Sequence, residues 1–292
     1  DTQESGYGEG EDDMGYIWYK KGQELLTEIS ESRLPDDMAA FWYIGQMGMV
    51  IKWRNTVIYV DPVLGDMKGE DGKTRRNYEP PFSGKEAAAD YIFCSHDHLD
   101  HIHPQTIQEM AGRNPDAKIV VPKPLTDRIR GLGIEEDRIL GMVQGKEYEL
   151  ADHIQVKGIA TAHESYETDE NGCSKTLGYL FCLGTLRLFH SGDTMLTGQL
   201  IEDVARERVH VLMIPINGVD MERHQRNIIG NMGSRDAAYF AMTAGADLTI
   251  PLHYDMVMGN EENPLIFADY MERYHPDRKY HLMRLGEKMI YG

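Results

Sequence analysis

The run Tyr91-Ile-Phe-Cys-Ser-His-Asp-His-Leu-Asp-His-Ile-His103 constrains this chain more than any other stretch. Residues 91–94 are apolar and β-favouring, and they lead into a turn holding His96, His98, Asp100 and His101. A strand fixes the direction in which the chain arrives, so the following turn can fold several side chains onto one point. Imidazole and carboxylate are ligands suited to zinc, manganese or iron at neutral pH. The order His-x-His-x-Asp-His offers two ligand sets: His96 and His98 for one ion, Asp100 and His101 for a second. A polar surface loop with unrelated histidines is the bland alternative. Three imidazoles and a carboxylate within six residues count against it.

Composition narrows the function classes. The 292 residues suffice for one large α/β domain or two small ones, with a sizeable core. Net charge is −18, with 48 acidic against 30 basic residues. Such a surface repels nucleic acid and anionic membranes, although a basic pocket can exist within it. No apolar stretch approaches the ~20 residues that cross a bilayer. The three cysteines, Cys94, Cys173 and Cys182, are scattered and odd in number. No secretory leader is visible, so a reducing cytoplasm is expected.

Residues 1–15 are rich in Gly, Asp and Glu and read as a solvated acidic tail. Helical spacing follows over 16–32. From 41 to 60 the pattern becomes β, with a hairpin turning at Arg54-Asn55 and ending at Asp61. Residues 63–85 form a long loop carrying Arg75 and Arg76, and 216–232 a second carrying Arg223, His224 and Arg226. Helices are expected over 104–110, 124–130, 200–206, 234–244 and 264–274. Strands are expected over 118–121, 154–159, 177–183, 186–189, 209–214, 247–252, 280–285 and 288–291. The repeated hairpins and strand–helix units suggest two sheets packed face to face with helices outside. No linker splits residues 16–292, which read as one domain.

The metal turn resembles the signature of the metallo-β-lactamase superfamily. Thr161-Ala-His163, His190-Ser-Gly-Asp193 and Ile250-Pro-Leu-His253 each follow an apolar run, in that superfamily's order. The resemblance implies an αββα four-layer sandwich of the α/β class. It makes His96, His98 and His163 ligands of a first ion. Asp100, His101 and His253 become ligands of a second, with Asp193 bridging. Asp61 would support the metal turn by hydrogen bonding, and His190 would hold a neighbouring ligand in place. His103, His153 and His224 are rival histidines, and Cys94 reads as packing.

Within the superfamily, Phe41-Trp-Tyr-Ile-Gly45, Ser95-His-Asp-His-Leu-Asp-His-Ile102, Asn217-Gly218 and Ile228-Ile-Gly-Asn-Met232 are similar to the L-ascorbate-6-phosphate lactonase family. This likeness implies a metal-dependent hydrolase that opens the lactone of a phosphorylated sugar acid by metal-activated hydroxide attack. One or two divalent ions are expected, manganese or zinc, with iron a third candidate. Asp100 would carry the proton. Arg223, His224, Arg226, Arg75 and Arg76 are the candidate anchors for an anionic sugar-phosphate substrate. Assembly into a homo-oligomer is left open. Two rival readings stand beside this one: a phosphodiesterase or nuclease on the same core, and a non-catalytic metal-binding protein.

Overall fold

A computed structural model describes residues 16–292. The acidic tail expected over 1–15 lies outside the described residues. The first sheet starts with β1 (Ala39–Gly45), in which every position is buried. Ala39, Phe41 and Tyr43 point into one apolar cluster, and Ala40, Trp42 and Ile44 into another. This is the two-residue period of a strand covered on both faces. Next come β2 (Gly48–Trp53) and β3 (Thr56–Val60), joined through Arg54 and Asn55, with Arg54 at φ +53°. Three strands then add in parallel: β4 (Tyr91–Phe93), β5 (Lys118–Pro122) and β6 (Ile139–Met142).

The second sheet begins with an antiparallel group, β7 (Glu147–Ala151), β8 (Ile154–Ala160), β9 (Leu177–Leu183) and β10 (Leu186–His190). It continues in parallel through β11 (Val211–Pro215), β12 (Leu248–Leu252) and β13 (Lys279–Tyr280). The chain closes on β14 (Lys288–Tyr291), which returns to the first sheet beside β1.

One apolar cluster lies between the sheets. Phe93 of β4 packs edge-on against Tyr179 and Phe181 of β9, with ring centroids 4.9 Å from each. The outer face of the first sheet is covered by α1 (Gly22–Glu31), α2 (Pro104–Arg113) and α3 (Thr126–Gly131) through Leu25, Ile29, Ile107, Met110 and Ile129. On the outer face of the second sheet lie α4 (Gly198–Arg206), α6 (Ser234–Ala244) and α7 (Pro264–Tyr274). A one-turn α5 (Met221–Gln225) precedes α6. The four layers run α, β, β, α, as the sequence led one to expect. Among the described residues, no helix is long and apolar enough to cross a membrane.

Several boundaries differ from expectation. Helix α1 starts at Gly22 rather than at residue 16, and the strand expected over 280–285 is the two-residue β13. β6 and β7 were not expected; they lie at sheet edges and are half-exposed, so the apolar signal of buried strands is missing. Helix α5 interrupts the expected loop, its start capped by the Asp220 carboxylate accepting from Arg223 N.

β3 and β4 run parallel, as do β10, β11 and β12. Their carboxyl ends therefore gather at shared edges of the two sheets, the place where open α/β sheets receive ligands.

Candidate metal centre

Each expected ligand follows a strand end. β4 delivers the turn of His96, His98, Asp100 and His101, and β8 leads to His163. β10 leads to Asp193 through Gly192, and β12 leads directly to His253, whose φ is +62°. Gly192, at φ +59°, has no room for a side chain, since an added Cβ would stand 2.5 Å from Ser95 Cβ.

The structure brings all seven side chains together. Three sets have donor atoms mutually within 4.8 Å: His96 with His98 and His163, His96 with His101 and Asp193, and Asp100 with His101 and His253. His98 Nδ1 lies 2.9 Å from His96 Nε2 and 3.2 Å from His163 Nε2. Asp193 stands between the sets. Its Oδ1 is 3.3 Å from His101 Nε2, and its Oδ2 is 3.0 Å from His253 Nε2 and 3.7 Å from His163 Nε2.

Asp61 and His190 hold the turns that carry the cluster. Asp61 accepts from Ser95 N at 2.7 Å and from Ser95 Oγ at 2.8 Å. His190 Nε2 donates to Met47 O at 2.8 Å, and Gly192 N donates to His190 Nδ1 at 3.2 Å. His190 thus ties the β1–β2 turn to the turn that presents Asp193. His103 caps α2 by accepting from Thr106 N, His153 is exposed, and Cys94 is buried with its carbonyl accepting from Tyr179 OH.

These residues fit a divalent cation. His101 Nε2 and Asp193 Oδ1 are both buried and face each other, yet neither has a hydrogen-bond partner. Buried polar atoms are rarely left so without an ion or water to satisfy them. Protonation agrees. Burial pushes His163 down to about 4 and holds His96 well below the usual imidazole value, so both offer free lone pairs at neutral pH. Burial opposes charge on His253 as well, but Asp193 and Asp100 outweigh it and push this ring up to about 9. Burial likewise opposes charge on His101, but Asp193, Asp61 and Asp100 outweigh it and hold this ring well above the usual imidazole value. Both rings would have to shed that proton to bind an ion, whose charge would then answer the same carboxylates. Burial would raise the Asp100 carboxyl; the facing His101 and His253 rings reverse this and hold it well below the usual range.

A cleft of about 270 Å³ opens over this cluster. Its wall includes Met67, Leu99, Ile228, Ile229 and Val257, with Asn227 and Asn260 supplying amides. The five expected phosphate anchors are not brought to it. Arg76 is buried and donates to the carbonyls of Val63, Gly65 and Tyr78, which shapes the 63–85 loop. Arg75 pairs with Asp71 on the surface. Arg223 pairs with Asp220 and donates to Glu261 O at 2.6 Å. Arg226 donates to Gly259 O and Met258 O, and His224 is exposed. The guanidinium groups of Arg76, Arg223 and Arg226 staple loops to carbonyls, a role that depends on tertiary contacts no single sequence displays.

Sequence reasoning also missed Gln46. It is buried in the β1–β2 turn, and its amide reaches Asp100 Oδ2 at 2.8 Å. Nothing in its residue type marked it, and only the fold places it there.

Comparison with known proteins agrees with this geometry. A UPF0173 metal-dependent hydrolase of Lysinibacillus sphaericus is 25% identical over 251 residues, covering 85% of this chain and 97% of the relative. Another, of Bacillus cytotoxicus, is 28% identical over 237 residues, covering 78% and 90%. Among solved structures, the metallo hydrolase Igni18 of Ignicoccus hospitalis superposes with a TM-score of 0.67 at 17% identity, covering 87% of this chain and 99% of that one. An isothiocyanate hydrolase from Delia radicum gut bacteria gives a TM-score of 0.68 at 15% identity, covering 86% and 98%. The family model described as beta-lactamase superfamily domain matches residues 56–254, more than half of the chain. With its αββα layers and its histidine–aspartate cluster at the strand ends, this chain belongs to that family, within the metallo-β-lactamase superfamily.

Proposed function

We propose that this metal-dependent hydrolase opens small lactones, cleaving a carboxylic ester bond within a ring. The supporting observation is the cleft beside Asp100 and Asp193, which is walled by aliphatic side chains and two amides. His96, His98 and His163 would hold a first ion, and Asp100, His101 and His253 a second, with Asp193 between them. A divalent ion so held supplies Lewis-acid polarisation and lowers the pKa of water. The identity of the ion is proposed as manganese or zinc, the metals implied by the sequence resemblance.

The chain's own residues do the rest. Asp100 is the one carboxylate of the cluster partly open to the cleft, with 17% of its side chain exposed. Its carboxylate would accept a proton from the attacking water and return it to the ring oxygen that leaves. The Asn227 and Asn260 amides orient polar groups of the ring. Met67, Leu99, Ile228 and Val257 shield the reacting centre from bulk water.

The phosphorylated sugar-acid lactone implied by the resemblance would bring a dianion into this cleft. Among the described residues, no Lys or Arg lines it. A phosphate held away from the metal positions would find no side-chain cation there, so a neutral lactone fits better. The same lack of basic side chains, together with the net charge of −18, leaves no track for a nucleic-acid backbone. The test is a comparison of kcat/KM on metal-loaded protein for a neutral γ- or δ-lactone, the same ring carrying a phosphate, and a phosphodiester. The neutral lactone should lead by about tenfold or more, equivalent to ~1.4 kcal/mol. Faster turnover of the phosphodiester would overturn the reading.

A further inference from the structure

Gln46 occupies the turn between β1 and β2, 1% exposed and at φ +59°. Its backbone is held on both sides. Gln46 N donates to Asp255 Oδ1 at 3.2 Å, and His253 N and Tyr43 OH donate to Gln46 O at 2.8 and 3.3 Å. Asp255 is in turn held by the hydroxyls of Tyr43 and Tyr78, at 2.8 and 2.7 Å. A buried frame therefore aims one neutral amide at the cluster.

The end of that amide lies 2.8 Å from Asp100 Oδ2 and 2.9 Å from His253 Nε2. Those two atoms are 3.5 Å apart and belong, with His101, to one ligand set. Ligands that each stand ~2.1 Å from an ion are separated from one another by ~3.0–3.4 Å in octahedral or tetrahedral arrangements. The separations of 2.9 and 3.2 Å among His96, His98 and His163 are of the same kind. By spacing, then, the Gln46 amide terminus stands among the donor atoms of the second set.

With Nε2 toward the pair, Gln46 donates to Asp100 Oδ2 and lies 3.4 Å from His253 Nδ1 as well. A cation held by Asp100 and His253 would favour the opposite end of the amide toward them. The two ends of an amide are isosteric. Turned over, the group places an oxygen acceptor at the same point, next to a carboxylate and an imidazole.

We propose that Gln46 is a further ligand of the second ion, through its amide oxygen, beside Asp100, His101 and His253. The inference rests on the metal-dependent reading of the site. With Asp193 added, five side chains converge on that ion. This count exceeds the four of tetrahedral zinc sites and suits an ion that prefers six-coordination, such as manganese or iron(II).

Chelator-stripped wild type, Gln46→Ala, Gln46→Asn and Gln46→Glu are titrated calorimetrically with Mn2+, and the visible spectrum is recorded with Co2+. Thermal melts of the stripped proteins check folding. Gln46→Ala should weaken one binding phase by about tenfold or more and leave the other unchanged. Gln46→Asn, one methylene shorter, should behave as the alanine variant does, and Gln46→Glu should restore the phase. The Co2+ bands of the alanine variant should intensify as coordination number falls. A wild type that binds no ion overturns both the site reading and the inference. Ion-binding wild type with a Gln46→Ala variant of equal or tighter affinity in every phase overturns the inference alone.

Discussion

Asp61 Oδ2 lies 2.9 Å from His101 Nδ1, with both side chains fully buried. This contact fixes which ring nitrogen of His101 carries the proton and leaves Nε2 facing Asp193. Asp61 also satisfies Ser95 N and Oγ, so a single carboxylate ties the end of β3 to the turn after β4. Asp61→Ala would leave buried donors unpaired. It should cost about 3 kcal/mol of stability and weaken metal affinity by about ten- to hundredfold. Chemical denaturation and Mn2+ titration measure both; unchanged metal affinity would mean that the His101 ring is oriented by other contacts.

Asp100 is proposed both as a ligand and as the proton carrier. Asp100→Asn should fold normally and lower kcat on a neutral lactone by roughly a hundredfold, the usual scale for a lost general acid or base. Steady-state kinetics at saturating metal decide the matter. A near-normal rate would move the proton transfer to another group.

Arg223 joins Asp220 to Glu261 O, and Arg226 joins the same loop to Gly259 and Met258. Arg223→Ala should therefore reduce turnover of neutral and phosphorylated lactones alike. It should also speed limited proteolysis within 216–232 several-fold, because fewer contacts then oppose local opening. A loss confined to the phosphorylated substrate would restore the phosphate-anchor role expected from sequence.

The aromatic contact between the sheets sets the position of the metal turn. Phe93 is fully buried against Tyr179 and Phe181, and Tyr179 OH donates to Cys94 O at 2.7 Å, just before the ligands. Phe93→Ala should destabilise the protein by about 3–5 kcal/mol, the range for emptying a buried aromatic site. Thermal and urea unfolding read this directly, and a change below ~1 kcal/mol would show that the sheets collapse onto the space.

The cluster was legible because four of its residues stand within six positions. His163, Asp193 and His253 could be found because each follows an apolar strand run. The strands themselves were legible where both faces are buried, as in β1 and β11. The edge strands β6 and β7 lack that signal. Gln46 stands 50 residues before His96, and its amide acquires meaning only through the turn that carries it to Asp100. The arginines of the long loops were misplaced for the opposite reason. Their charge is conspicuous in sequence, but the carbonyls of Glu261, Gly259, Val63 and Gly65 that engage them are set by tertiary packing.

The most direct measurement combines elemental analysis with lactone turnover on the same preparation, before and after chelation. The account predicts one to two transition-metal ions per chain, loss of neutral-lactone hydrolysis on stripping, and its return with Mn2+ or Zn2+. A protein that neither holds nor takes up metal, or that hydrolyses the lactone equally well once stripped, would contradict it.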